Sequence, residues 1–177
     1  MPADPPRALL LKVHLVGVSP MVWRRLRVPE TTMLAGLHRI IQIAMGWEDY
    51  HLHRFQIHGR DYGGGGFTSG ASERVPLSQF EFRPGDMFLY EYDFGDQWDH
   101  EVRVEDVLDP APKNAVPACT GGSRACPPED SGGPWMYMER LHALKSRRRA
   151  DLGRGFDPAL FRRGPVNDEL KRMTSGA

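Results

Sequence analysis

The segment around residues 88–107 constrains the fold more than any other part of the chain. Phe88–Tyr92 and Trp98–Val107 flank the short run Asp93-Phe94-Gly95-Asp96-Gln97, and two extended stretches around so short a link read as an antiparallel hairpin. Along the second stretch Trp98, His100, Val102 and Val104 share one face, while Asp99, Glu101, Arg103 and Glu105 share the other. Side chains alternate across a strand, so this pattern needs a sheet with one covered face and one wet face.

The rest of the chain supplies the cover. Leu9–Val18 alternates Leu11, Val13 and Leu15 against Lys12 and His14. After the turn Gly17-Val18-Ser19-Pro20, the stretch Val22–Val28 turns Leu26 and Val28 inward and Trp23, Arg25 and Arg27 outward. The two form a second predicted hairpin. Thr31-Thr32 offers an N-cap for a helix over 33–45, whose Leu34, Leu37, Ile41, Ala44 and Met45 make one stripe, and Gly46 is a good stop. A further strand is expected at Leu52–Ile57, then a flexible loop at Tyr62-Gly63-Gly64-Gly65-Gly66. Residues 109–134 read as loop, Trp135–Lys145 as helix, and a short helix is expected to begin near Asp157-Pro158. The order predicts an α+β fold: a β-grasp-like mixed sheet over one main helix, with a loop-rich C-terminal helical extension. One domain over 9–170 is expected, with 1–8 and 171–177 as flexible tails.

Composition narrows the function classes. The chain has 177 residues with 23 basic and 23 acidic side chains, which excludes nucleic-acid binding by bulk positive charge. Residues 81–109 nonetheless carry a net charge of −8, between segments of +3 and +5. Such a pattern predicts that the basic tail folds over the acidic middle. No apolar run is long enough to span a membrane, and the first residues lack the basic and apolar regions of a signal peptide. With only two cysteines, a cytoplasmic location is expected, with no disulfide between Cys119 and Cys126.

Chemistry concentrates in Tyr90-Glu91-Tyr92-Asp93-Phe94-Gly95-Asp96-Gln97-Trp98-Asp99-His100. A turn can aim Asp93 and Asp96 at one point, as ligands of a hard cation or as an acid and base pair. Turn making alone explains the aspartates if both carboxylates accept turn amides. The stiff run Pro127-Pro128-Glu129-Asp130 can present Glu129 or Asp130 nearby, with His38 and His53 as a floor. Trp23, Tyr92, Asp93, Phe94, Asp96, Trp98 and His100 are therefore the expected ligand-binding residues. A zinc set of His51, His53, Cys119 and Cys126 is a weaker alternative, since six residues separate the cysteines where close pairs are usual. Trp23-Arg24-Arg25 is a site for a planar anion or an arginine packed on an indole. The basic residues Lys145, Arg147, Arg148, Arg149, Arg154, Arg162 and Arg163 make a nucleic-acid contact conceivable without favouring it. The Asp93-Phe94-Gly95 tripeptide lacks the other kinase elements, and the glycine tract lacks a following Gly-Lys-Ser/Thr, so neither marks a nucleotide site.

Pro20-Met21-Val22-Trp23-Arg24-Arg25, Leu37-His38, Ile41-Gln42, Gly46-Trp47-Glu48 and His51-Leu52-His53 occur in that order. The Tyr90–His100 run follows, then Cys119, Gly121-Gly122, Ala125-Cys126-Pro127-Pro128-Glu129-Asp130, Gly132-Gly133-Pro134-Trp135, Phe156-Asp157-Pro158 and Val166-Asn167. Together they resemble the plasmid pRi ORF-three-like family over roughly 9–170. The resemblance implies a bacterial or archaeal protein associated with plasmids and transposons, some relatives being labelled resolvase-like (TnpR-like) passengers. It implies no defined activity or cofactor. A serine recombinase needs a nucleophilic serine in a catalytic domain; Ser19 sits before a proline in a turn, so that activity is not carried over. Ser131 stands where many relatives have a cysteine, which weakens a cysteine-rich metal site.

The leading expectation is a non-enzymatic binding module of a mobile-element-associated family, whose partner is a protein or small molecule. The alternative is a metal-dependent hydrolase, possibly of phosphoesters, built on Asp93, Asp96, His100, Glu129 and Asp130 with a divalent ion. Convergence of those groups in space separates the two readings.

Overall fold

The computed structural model describes residues 7–65, 72–109, 117–146 and 152–176. Among these residues seven strands form one sheet: β1 (Ala8–Leu15), β2 (Trp23–Pro29), β3 (His53–Ile57), β4 (Arg60–Gly63), β5 (Met87–Tyr92), β6 (Trp98–Leu108) and β7 (Ala118–Ser123). Among the described residues three α-helices accompany it: α1 (Leu34–Met45), α2 (Gly133–Lys145) and α3 (Arg163–Ser175). The spatial order is β4-β3-β5-β6-β1-β2-β7.

Every pairing is antiparallel, so the mixed sheet expected from the element order does not form. The cause is local. Short reversals join β1 to β2, β3 to β4 and β5 to β6, and the β5–β6 hairpin meets β1 with Val13 opposite Val102 and Leu15 opposite His100. The α+β class stands.

The core lies where alternation and stripe place it. Leu11, Val13, Leu15, Leu26, Val28, Leu34, Leu37, Ile41, Ala44, Phe55 and Ile57 are all buried in one apolar cluster. Gly46 ends α1 in the left-handed region at φ 85°, its N–H donating to Gln42 O at 2.8 Å. The start of α1 differs from the expected threonine cap. Met33 occupies the cap position without a side-chain bond. The first helical amides instead donate to a crossing segment, Leu34 N to Val75 O at 3.0 Å and Ala35 N to Glu73 O at 3.2 Å. Backbone carbonyls can satisfy the free amides of a helix start as a side chain would. This crossing also fixes Glu73 beside the sheet.

Two elements lie in stretches read as loop. β4 runs into the glycine tract, and β7 pairs with β2 although it contains Gly121 and Gly122. Glycine is required at 122 by close approach, because a Cβ there would lie 2.5 Å from the Phe161 ring. No helix starts near Asp157; α3 begins at Arg163 instead. β1 begins at Ala8 and α3 continues to Ser175, so regular structure reaches into both segments expected as tails.

Among the described residues, the acidic middle is matched from the first half of the chain. Arg25 pairs with Glu105 and Arg54 with Glu91 across the wet face of the sheet. Arg147, Arg148 and Arg149 lie outside the described residues. Arg163 donates to Thr120 O at 2.9 Å. Among the described residues, no helix is long and apolar enough to cross a membrane.

Candidate functional site

The site is built from the end of the β5–β6 hairpin. On β5, Tyr90 and Tyr92 both face the core. The chain then reverses through Asp93, whose φ is 60°. Asp93 Oδ1 accepts the amides of Gly95 at 3.0 Å and Asp96 at 3.3 Å, which is the turn-making role expected of aspartate. Its second oxygen is left for another partner, and lies 3.5 Å from His51 Nε2.

Asp96 points elsewhere. Its Oδ2 accepts the Gly132 amide at 2.9 Å, which ties the turn to the start of α2. Trp47 Nε1 donates to Pro127 O at 2.9 Å and holds the preceding part of the same loop. Between these anchors the loop sets Glu129 and Asp130 over the start of β3. Asp130, at φ 52°, brings Oδ1 within 2.8 Å of His51 Nε2. Glu129 Oε2 lies 3.9 Å from the same nitrogen. Glu129 Oε1 accepts the Glu48 amide at 2.8 Å and the Tyr92 hydroxyl at 3.0 Å. Tyr92 OH in turn accepts the Tyr50 amide at 3.0 Å. Burial and the neighbouring Glu129 push the Tyr92 phenol above its ordinary value, so it stays a protonated donor.

One imidazole therefore faces three carboxylates. Donor atoms of His51, Asp93 and Asp130 all lie within 4.8 Å of one another. Among the described residues none of Asp93, Glu129 and Asp130 pairs with a lysine or arginine. Gathering like charges without a permanent counter-charge raises the local demand for a cation. Oxygen donors plus one imidazole suit a divalent ion of hard to borderline character.

The remaining expected residues lie apart. Trp98 is buried beneath the site, between Trp47 and Tyr137. His100 is wholly buried, its Nδ1 donating to Tyr90 O at 3.2 Å, and Nε2 has no partner among the described residues. Burial pushes His100 down to about 4, so it is a neutral core residue. Phe94 stacks near the Arg54 guanidinium, 5.7 Å away. Trp23 faces the other side of the sheet between Lys12 and Arg25. Arg24 turns inward, donating from Nε to Ala44 O at 2.7 Å, and lies 3.9 Å from the Phe161 ring; it closes the C-terminal end of α1. Cys119 and Cys126 are free, buried thiols near Arg24, both pushed up by burial. Neither joins His51 or His53 in a metal-ligating group among the described residues, because β7 and the loop after it put them at the far end of α1.

His53 belongs to a second group. Its ring stacks on His38 with centroids 3.4 Å apart and planes 5° apart. His38 Nε2 lies 2.8 Å from Asp49 Oδ1, and His53 Nε2 lies 2.5 Å from Glu73 Oε1. Burial, and then the neighbouring His53, push His38 down to about 4. Asp49 and Glu73 have no local signature in the sequence. Glu73 arrives only through its backbone bond to the start of α1.

The family model described as plasmid pRiA4b ORF-3-like protein matches residues 7–163. The chain is 41% identical over 141 residues to the uncharacterized protein y4hQ of Sinorhizobium fredii (strain NBRC 101917 / NGR234), covering 76% of this chain and 71% of that protein. The crystal structure of a protein of unknown function, MM3350 from Methanosarcina mazei Go1, is similar with a TM-score of 0.79 and 37% identity. That likeness covers 92% of this chain and 97% of the other. With the family model spanning most of its length and these relatives beside it, the chain belongs to the plasmid pRiA4b ORF-3-like family.

Proposed function

We propose that the chain is a binding module of a mobile-element-associated family, and that it holds a divalent cation at His51, Asp93 and Asp130. The observation that carries the reading is the position of His51 Nε2, 2.8 Å from Asp130 and 3.5 Å from Asp93, with Glu129 3.9 Å away. A cation there relieves the repulsion among the three carboxylates and links the hairpin turn, the start of β3 and the loop before α2. Its chemistry suits Mn²⁺ or a similar ion. The module then presents the exposed Tyr50, Leu52 and Trp135 to a protein or small-molecule partner.

The test is calorimetric titration of Mn²⁺ into the full chain and into the variant carrying Asp93→Asn and Asp130→Asn. Asparagine keeps the side-chain oxygen that accepts turn amides and tolerates a left-handed backbone, so the fold survives while charge is lost. Wild type is expected to bind Mn²⁺ and the variant to bind it about tenfold more weakly or worse. No heat of binding to wild type, or equal affinity in both, overturns the reading.

Glu129 supports a second reading, metal-dependent hydrolysis. Its Oε2 lies near His51 while its other oxygen is held by Tyr92 and Glu48, a placement that suits a base acting on a water beside the cation. Turnover of an activated phosphodiester in the presence of Mn²⁺, lost in Glu129→Gln with Mn²⁺ affinity retained, distinguishes hydrolysis from binding alone.

A further inference from the structure

We propose that His38, His53, Asp49 and Glu73 form a second cation centre, richer in nitrogen than the first and suited to Zn²⁺ or a similar borderline ion. The four side chains come from four segments: α1, the start of β3, the link between them, and the segment that crosses the start of α1. One donor atom from each of His38, Asp49 and His53 lies within 4.8 Å of the others. Glu73 Oε1 lies 2.5 Å from His53 Nε2, the nearest carboxylate to supply a fourth donor once the ion is in place. Tetrahedral zinc with ligands at about 2.0–2.2 Å places its donors roughly 3.4 Å apart. The 2.8 Å and 2.5 Å separations of the two histidine–carboxylate pairs are shorter, so an entering ion spreads both pairs and swings the stacked rings of His38 and His53 apart.

The surroundings orient the donors. His38 Nδ1 lies 2.8 Å from Tyr90 OH, which accepts a hydrogen bond from Gln42 Nε2 at 2.9 Å. With one ring nitrogen so engaged, the other faces Asp49, an arrangement typical of metal-bound histidine. Gln42 also accepts the Asp49 amide on Oε1 at 3.1 Å. A single amide thus positions both a nitrogen and an oxygen donor. Asp49 stands in the left-handed region at φ 60°, a conformation that costs backbone energy and recurs at binding sites.

Charge and burial agree with this assignment. Two carboxylates and two neutral imidazoles balance a divalent ion, and a neutral assembly is the form a half-buried site tolerates. Among the described residues neither Asp49 nor Glu73 pairs with a lysine or arginine. The side chains of His38 and Glu73 are 5% and 9% exposed, that of His53 is 16% exposed, and that of Asp49 is 50% exposed. Asp49 therefore marks the way in. Two imidazoles favour Zn²⁺, Ni²⁺ or Fe²⁺ over the ions that oxygen-rich sites select.

The experiment titrates Zn²⁺ into the full chain carrying Asp93→Asn and Asp130→Asn, which disables the first group, and into the same chain with Asp49→Asn and Glu73→Gln added. One equivalent of Zn²⁺ is expected to bind the former, and affinity to fall about tenfold or more in the latter. Co²⁺ in place of Zn²⁺ should give the visible bands of a four-coordinate ion, lost in His53→Asn. No Zn²⁺ uptake by the first variant, or equal affinity in the two, overturns the proposal whatever Mn²⁺ does at the first group. Should circular dichroism show the first variant unfolded, wild type is compared with Asp49→Asn plus Glu73→Gln, and one equivalent fewer of Zn²⁺ in that variant is the expected result. An unchanged stoichiometry and affinity then overturns it.

Discussion

Asp96 accepts the backbone N–H of Gly132 at 2.9 Å across 36 residues of chain. This bond joins the hairpin turn to the loop that carries Glu129 and Asp130, so Asp96 positions the site without facing its centre.

Replacing Asp96 with alanine leaves the Gly132 amide without its acceptor. Loss of one such bond at a helix start costs about 1–2 kcal/mol. Urea unfolding of Asp96→Ala should show that loss, with Asp96→Asn recovering most of it. Mn²⁺ affinity should fall in Asp96→Ala because Asp130 is no longer held against His51. Unchanged affinity and stability would mean the loop is anchored without this bond.

Gly133 should tolerate no side chain. Its φ is 79°, and a Cβ would lie 2.4 Å from the carbonyl oxygen of Asp96. Backbone cannot yield as a side chain does, so Gly133→Ala is expected to destabilise by at least about 2 kcal/mol. At Gly132 the nearest atom to a Cβ is the Met136 sulfur, at 2.5 Å, which belongs to a flexible side chain. Gly132→Ala is thus the milder change in thermal unfolding.

His100 makes the fold sensitive to acid. Buried in the core, it is pushed down to about 4 from an ordinary value of 6.5. The unfolded chain binds this proton more readily than the folded one. The contribution is therefore fully present above about pH 6.5 and is lost as pH falls toward 4, by roughly 3 kcal/mol in all. His38, also pushed down to about 4, acts in the same direction. Urea unfolding of His100→Leu should show a shallower decline between those pH values than wild type. An identical decline would mean other groups dominate acid unfolding.

Cys119 and Cys126 are free and buried, and burial raises both thiols. Ellman's reagent should therefore react slowly with native protein and find two thiols per chain after denaturation without reductant. Fewer than two would show that they oxidise.

What the sequence makes legible follows period and spacing. Leu11, Val13 and Leu15 alternate and are buried; the three-and-four stripe of Leu34, Leu37 and Ile41 faces the sheet; Gly46 ends the helix. The β7 strand is hidden because Gly121 and Gly122 look like loop residues, whereas the Phe161 ring packs against Gly122 where a Cβ would stand. His100 shares a strand face with Trp98 in both readings, yet that face is core, and burial removes it from the site.

Local periodicity determined β1, β2, β3, β5, β6 and α1, and which face of each is apolar. Side chains three, four or two residues apart meet whatever the rest of the chain does. Only the tertiary structure decided that His51 meets Asp130, 79 residues away, and that His53 meets Glu73. Those meetings depend on backbone bonds between segments that share no period. Asp96 with Gly132 brings in one loop, and the carbonyls of Glu73 and Val75 at the start of α1 bring in the other. A carboxylate carried on a loop has no repeat to announce it, and its partner is chosen by where the loop is pinned.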